Sequence, residues 1–142
     1  EIVEYTSPDE VAVCNLASIC LPKFVNTDGT FDFKKLHEVT RTITKNLNRI
    51  IDNNFYPIPE AKNSNMRHRP IGIGIQGLAD CLIKMQIAYE DDQAEAINAE
   101  IFETIYHAAM SESVALAKVE GHYESFRGSP LSEGKFQFDL WN

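Results

Sequence analysis

Arg67-His-Arg-Pro-Ile-Gly-Ile-Gly-Ile-Gln-Gly-Leu-Ala-Asp80 is the stretch whose reading decides the fold. Gly72-x-Gly74-x-x-Gly77 satisfies the dinucleotide-binding spacing, and a helix is expected to follow it. A true fingerprint needs a strand before the first glycine, so that phosphate meets the helix N-terminus. Here Asn65-Met-Arg-His-Arg-Pro70 precedes it and forms no apolar strand; the extended residues Ile71, Ile73 and Ile75 lie inside the motif. No acidic residue closes a second strand about 20 positions further on, because that region reads as helix. The simpler expectation is a short strand whose glycines admit another backbone or a helix at close range. A Rossmann-type dinucleotide-binding oxidoreductase built on Gly72, Gly74 and Gly77 stands as the alternative, and saturable NAD binding would be its mark.

Working outward, Leu78-Ala-Asp-Cys-Leu-Ile-Lys-Met85 reads as a helix. Asp91-Asp92 opens a long helix to about Val119, with Ile97, Ile101, Ile105, Ala108 and Ala115 inward and Gly121 as its stop. Residues 122–142 read as loop with a short strand. Upstream, Leu36, Val39, Ile43, Leu47, Ile50 and Ile51 share one face of a helix that Asp32 caps and that ends before Tyr56-Pro57-Ile58-Pro59. Lys62-Asn-Ser-Asn65 reads as loop. Glu1-Ile-Val-Glu-Tyr-Thr6 and Val11-Ala-Val-Cys-Asn-Leu16 are strand-like, with Ser7-Pro8-Asp9-Glu10 a turn between them. The second of these runs, being nearly continuous, suits a strand covered on both faces, as in a parallel sheet; Ile19-Cys-Leu21 continues it to Pro22. Extended runs alternating with helices argue for an α/β fold.

The 142 residues are enough for a real core, and 44% hydrophobic with 24% charged residues is ordinary for a globular chain. A net charge of −8 offers no general attraction to a phosphate backbone, so nucleic acid is not an expected partner. No apolar run approaches the roughly 20 residues needed to span a bilayer. Neither a charged-then-apolar leader nor an initiator Met is visible, and the expectation is a cytoplasmic protein without a membrane partner. The three cysteines, Cys14, Cys20 and Cys81, fit a reduced chain better than a disulfide scaffold, and each alone reads as a small buried hydrophobe. The four histidines lie too far apart in sequence to form a local metal-ligand pair, so no metal site is expected.

Several stretches together carry a more specific signal. Glu1-Ile-Val-Glu-Tyr-Thr-Ser-Pro-Asp-Glu-Val-Ala-Val-Cys-Asn-Leu-Ala-Ser18 resembles the segment after the radical-site cysteine in ribonucleotide reductase large subunits. Arg67 to Asp80 is similar to a second patterned stretch of that family. Asp32-Phe-Lys-Lys-Leu36, Asn46-Leu-Asn-Arg-Ile-Ile-Asp52, Ile101-Phe-Glu-Thr-Ile-Tyr106 and Tyr123-Glu-Ser-Phe-Arg-Gly-Ser-Pro130 fit in the same order. The pattern looks most like the eukaryotic-type class I enzyme. The resemblance implies that residues 1–142 form one partial domain, a fragment of a ten-stranded α/β barrel with long helices packed on short, mostly parallel strands.

It also implies a chemistry: reduction of ribonucleoside diphosphates to 2′-deoxyribonucleotides, begun by a cysteine thiyl radical that takes the substrate's 3′ hydrogen. Glu1 aligns with the general base that closes an Asn-x-Cys-x-Glu motif, which puts the radical cysteine two residues before Glu1 and outside this chain. Cys14 aligns with one of two reducing cysteines that end as a disulfide. A carboxylate near a sugar hydroxyl can take its proton, and a cysteine beside a buried strand can serve as half of a dithiol. Without the resemblance, Glu1 is a solvated chain end and Cys14 a core residue. Cys20 and Cys81 match no functional position. The family further implies a small radical-generating subunit with a di-iron tyrosyl radical, ATP and deoxynucleotide effectors, a thioredoxin- or glutaredoxin-type reductant, and a homodimer of large subunits. The chain by itself is expected to be inactive. A third reading makes the long helix from Asp91 the partner surface of a non-catalytic module, although its apolar face is more simply a core stripe.

Overall fold

The computed structural model describes residues 6–140. Its frame is β1 (Leu16–Cys20), α1 (Phe33–Asn53), α2 (Pro59–His68), β2 (Gly72–Gln76), α3 (Leu78–Met85) and α4 (Asp92–Glu120). The two strands pair in parallel with Leu16 opposite Gly72 and Cys20 opposite Gln76. Parallel neighbours need a crossover, and α1 and α2 supply it. In this register Ala17 and Ile19 share a face with Ile73 and Ile75, and Ile19, Ile73 and Ile75 belong to the core. Leu16 (64% exposed) points to the opposite, open face.

Both long helices cover the core face. Leu36, Leu47 and Ile51 of α1 and Ile101, Ile105 and Ala108 of α4 are buried. The pairs His37–His107, Arg41–Glu112 and Asn48–Glu120 rise together along both helices, so α1 and α4 run parallel. Each helix therefore follows one of two parallel strands and returns over the same face, which is the repeated strand–helix unit of an α/β fold. Among the described residues the sheet has two strands and does not close.

The helix ends follow their sequence signals. The Asp32 carboxylate accepts from Lys35 N, the Asp91 side chain accepts from Gln93 N, and Gly121 ends α4 in a left-handed φ of 83°.

Four local expectations need correction. The run from Val11 is not strand throughout: residues 11–15 are irregular and β1 begins at Leu16. Lys62–Asn65 is helix, not loop. Pro59 occupies the first turn of α2, where a missing N–H costs nothing, and Asn65 finds tertiary hydrogen bonds that outweigh its weak helix preference. Ile50 is 46% exposed; Thr40 and Thr44 take the buried positions instead, each hydroxyl donating to the carbonyl four residues earlier. The tail forms 3₁₀ turns at Glu124–Phe126, Pro130–Glu133 and Gln137–Leu140, with no strand among its described residues.

Both outer edges of the strand pair are open among the described residues, and Leu16, Ile83 and Val119 present apolar surface to solvent. Unpaired edges and bare apolar faces recruit other chains. Residues 1–142 expressed alone are therefore expected to self-associate in analytical ultracentrifugation. A monodisperse monomer with a single cooperative melt is the contrary result.

Candidate functional site around Cys14

Cys14 is exposed and lies two residues before β1. Its neighbour Asn15 points the other way and is 4% exposed. The Asn15 amide nitrogen donates to Asn65 Oδ1 at 2.9 Å and to the Pro70 carbonyl at 2.9 Å. Asn65 returns a bond from its own Nδ2 to Asn15 Oδ1 at 3.3 Å and donates to the Tyr56 hydroxyl at 2.6 Å. The Tyr56 hydroxyl donates to the Ile51 carbonyl at 2.7 Å, and Gly72 N donates to the Asn15 carbonyl at 2.9 Å. The backbone beside Cys14 is thereby tied to the end of α1, to α2 and to the start of β2.

Just upstream, Glu10 is almost fully buried (2% exposed) and bonded to His68 Nε2 at 2.7 Å, Arg67 Nη1 at 3.3 Å and Ser7 Oγ at 3.2 Å. His68 Nδ1 meets Ser125 Oγ at 2.9 Å, so this cluster fastens the entering chain and α2 to the first tail turn. The expected turn at Ser7–Glu10 is present, closed by two reciprocal backbone bonds of 3.2 Å. Burial pushes the Glu10 carboxyl upward, but hydrogen bonds from His68 and Ser7 and the charges of His68 and Arg67 hold it below its ordinary value.

Arg69 ends α2 in the left-handed region at φ 48°, a conformation that costs a non-glycine residue roughly 1 kcal/mol or more. Its guanidinium grips both Asp52 oxygens at 2.8 and 2.9 Å and Asn48 Oδ1 and O at 2.8 Å each. That planar fork holds α1 against the loop leading to β2 and keeps the Asp52 carboxyl below its ordinary value.

Glu1 lies outside the described residues. Cys20 is half-buried at the end of β1; Cys81 is buried in the core, where burial raises its thiol pKa and nearby Lys84 only partly offsets this. In the glycine motif, β2 runs through Gly72 and Gly74 rather than before them. Gly77 caps α3 at φ 75°, and a Cβ there would lie 2.9 Å from Pro22 Cδ. The close approach is thus made to Pro22 at the start of α3, where a dinucleotide phosphate would have to sit. Gly74 meets only the Ala17 carbonyl, at 4.0 Å from an added Cβ. The dinucleotide alternative has no support in this geometry. Among the described residues no three His, Cys, Asp or Glu side chains are grouped to hold a metal ion. No helix among them is long and apolar enough to cross a membrane. Open grooves flank α4, lined by residues such as Tyr106, Met110, Val114 and Phe136, and do not reach Cys14.

Sequence reading missed Asn15, Asn65, Tyr56 and the Glu10–His68 pair. The available signal was a polar residue interrupting the apolar run before β1, together with a carboxylate and a histidine in stretches marked only by pattern.

Parallel strands joined through helices, with a cysteine exposed at the entrance to the first strand, define the class: an α/β fold. The profile of the family "Ribonucleotide reductase, barrel domain" matches residues 1–142. The chain is 58% identical over 142 residues to the ribonucleoside-diphosphate reductase large chain of Schizosaccharomyces pombe, covering 100% of this chain and 17% of that protein. It is 60% identical over 143 residues to the large subunit of Plasmodium falciparum, covering 100% and 18%. Against the Danio rerio large subunit identity is 58% over 141 residues, covering 99% and 18%. This chain belongs to the ribonucleotide reductase barrel-domain family, and it spans 17–18% of the length of these relatives.

Glu10 supplies a test of the anchoring cluster. A folded pKa below the ordinary 4.5 means that its contribution is present above that value and is lost as pH falls through the lower folded value. From about pH 6 to about pH 3, melting temperature should fall more steeply for the unsubstituted protein than for Glu10→Gln. Parallel curves would remove the cluster's role.

Proposed function

We propose that this chain is part of the catalytic barrel of a ribonucleoside-diphosphate reductase large subunit, a single partial domain that supplies one reducing cysteine. The observation that carries the reading is Cys14, exposed at the entrance to β1 in a chain that matches the barrel family from end to end. A buried thiol such as Cys81 could not meet a partner sulfur; an exposed thiol at a strand entrance can.

On this reading a thiyl radical formed on a cysteine two residues before Glu1 takes the 3′ hydrogen of the substrate. Glu1 accepts the 3′-hydroxyl proton. The 2′ C–O bond is replaced by C–H and the oxygen leaves as water. The abstracted hydrogen then returns to the 3′ carbon and the proton from Glu1 to the 3′ oxygen, which regenerates the thiyl radical and the Glu1 carboxylate. Cys14 and a second cysteine outside this chain supply the two protons and two electrons, their two S–H groups becoming one S–S bond. An external dithiol then returns them to thiols.

The word "large" in the relatives' names supports a smaller partner subunit, which we propose generates the radical at a di-iron tyrosyl site of its own. Ribonucleoside diphosphate as substrate, ATP and deoxynucleotides as effectors, a thioredoxin- or glutaredoxin-type reductant, a homodimer of large subunits and a cytoplasmic setting belong to the same proposal. The parent gene should read Asn-x-Cys-x immediately before Glu1.

Cys14→Ser in the full-length subunit, assayed with its radical-generating partner and a dithiol protein as reductant, should abolish sustained turnover while nucleoside diphosphate binding persists. Wild-type turnover in that variant would end Cys14's assignment.

A further inference from the structure

We propose that the buried amide pair Asn15–Asn65, anchored through Tyr56, is the positioning device that holds Cys14 in place for dithiol chemistry; this rests on reading Cys14 as the reducing cysteine. Disulfide formation demands tight placement, with Cβ atoms about 3.5–4.5 Å apart and a narrow torsional range at the sulfurs. Cys14 lies in the irregular stretch 11–15, ahead of β1, which begins at Leu16.

Asn15 ties this segment to the rest of the fold, its side chain buried while Cys14 beside it is exposed. Asn15 spends both amide protons, on Asn65 and Pro70, and its side-chain oxygen accepts from Asn65. Its carbonyl accepts from Gly72 N, the residue paired with Leu16 across the strands. Asn65 is fully buried (0% exposed), and its remaining proton goes to Tyr56. Tyr56 in turn donates to the last turn of α1. No buried side-chain nitrogen or oxygen among the described residues is left without a partner. Two apolar side chains could fill the same space, but they would not dictate direction. A fully satisfied amide network in a low-dielectric interior selects one arrangement and resists sliding. Asn15, the residue that follows Cys14, is therefore held by α2 through Asn65, by the loop before β2 through Pro70, and by α1 through Tyr56 on Asn65.

The test uses the full-length subunit with its radical-generating partner. Asn65→Leu keeps the volume and removes the amide; Tyr56→Phe removes only the outer hydroxyl. Pre-reduced enzyme is given nucleoside diphosphate without external reductant, so product per subunit reports the active-site dithiol directly. Asn65→Leu should lower the single-turnover rate on the order of tenfold to a hundredfold. KM should stay within about twofold, because substrate binding is not what the pair controls. The reduction potential of the Cys14 disulfide should shift in the same variant, a readout that a packing role would leave alone. Tyr56→Phe should show a smaller loss in the same direction. If Asn65→Leu fails to fold, Tyr56→Phe decides: a slowed single turnover with unchanged KM supports the device, and an unchanged rate overturns it. A folded Asn65→Leu with normal rate and potential also overturns it. Where Cys14→Ser is dead and Asn65→Leu is normal, only the positioning role falls; where Cys14→Ser turns over normally, both readings fall.

Discussion

The parallel pairing of β1 with β2 is the constraint on which the other elements depend. Its register sets Ile19 beside Ile75 and Ala17 beside Ile73, so one face of the pair is apolar and must be covered. The crossover that joins parallel strands is long enough to be helical, and α1 covers that face on its way to α2. After β2 the chain repeats the movement through α3 and α4, which brings α4 parallel to α1. A shift of one residue would turn the isoleucines outward and leave both helices without a core. The open face of the pair, where Leu16 stands exposed, lies on the far side from those helices.

Polar side chains do the fastening that this small apolar core cannot. Glu10 with His68 and Arg67, Arg69 with Asp52 and Asn48, and Asn15 with Asn65 each join segments distant in sequence. Together they hold the irregular chain before β1 against α2 and the entrance to β2. The left-handed turn at Arg69 is tolerated because its guanidinium makes four short bonds at once. Residues 11–15 are therefore irregular yet tightly placed, and the exposed cysteine among them has a defined direction.

The periodic elements were legible in the sequence because their causes are local. Asp32 and Asp91 cap helices by their own side chains, and Ile101, Ile105 and Ala108 recur at helical spacing. The glycine motif is legible as a strand with an internal extended run, because no apolar segment stands before it. The elements that were missed depend on partners far along the chain. Asn65 looks like a loop residue until Asn15, 50 positions earlier, supplies its hydrogen bonds. Thr40 and Thr44 look polar until their hydroxyls turn back to the helix carbonyls. Val11 to Asn15 looks like strand because an apolar run cannot say whether a neighbouring strand lies alongside it. Cys14 itself was marked only by resemblance; no spacing or periodicity separates it from Cys20 or Cys81.

The central claim is that Cys14, and neither Cys20 nor Cys81, is a redox partner in catalysis. It is tested most directly by quenching pre-reduced full-length enzyme after one turnover with an alkylating agent and mapping its cysteines by mass spectrometry. The account predicts Cys14 in a disulfide with a cysteine outside residues 1–142, while Cys20 and Cys81 remain thiols. Finding Cys14 as a thiol after product has formed would contradict it.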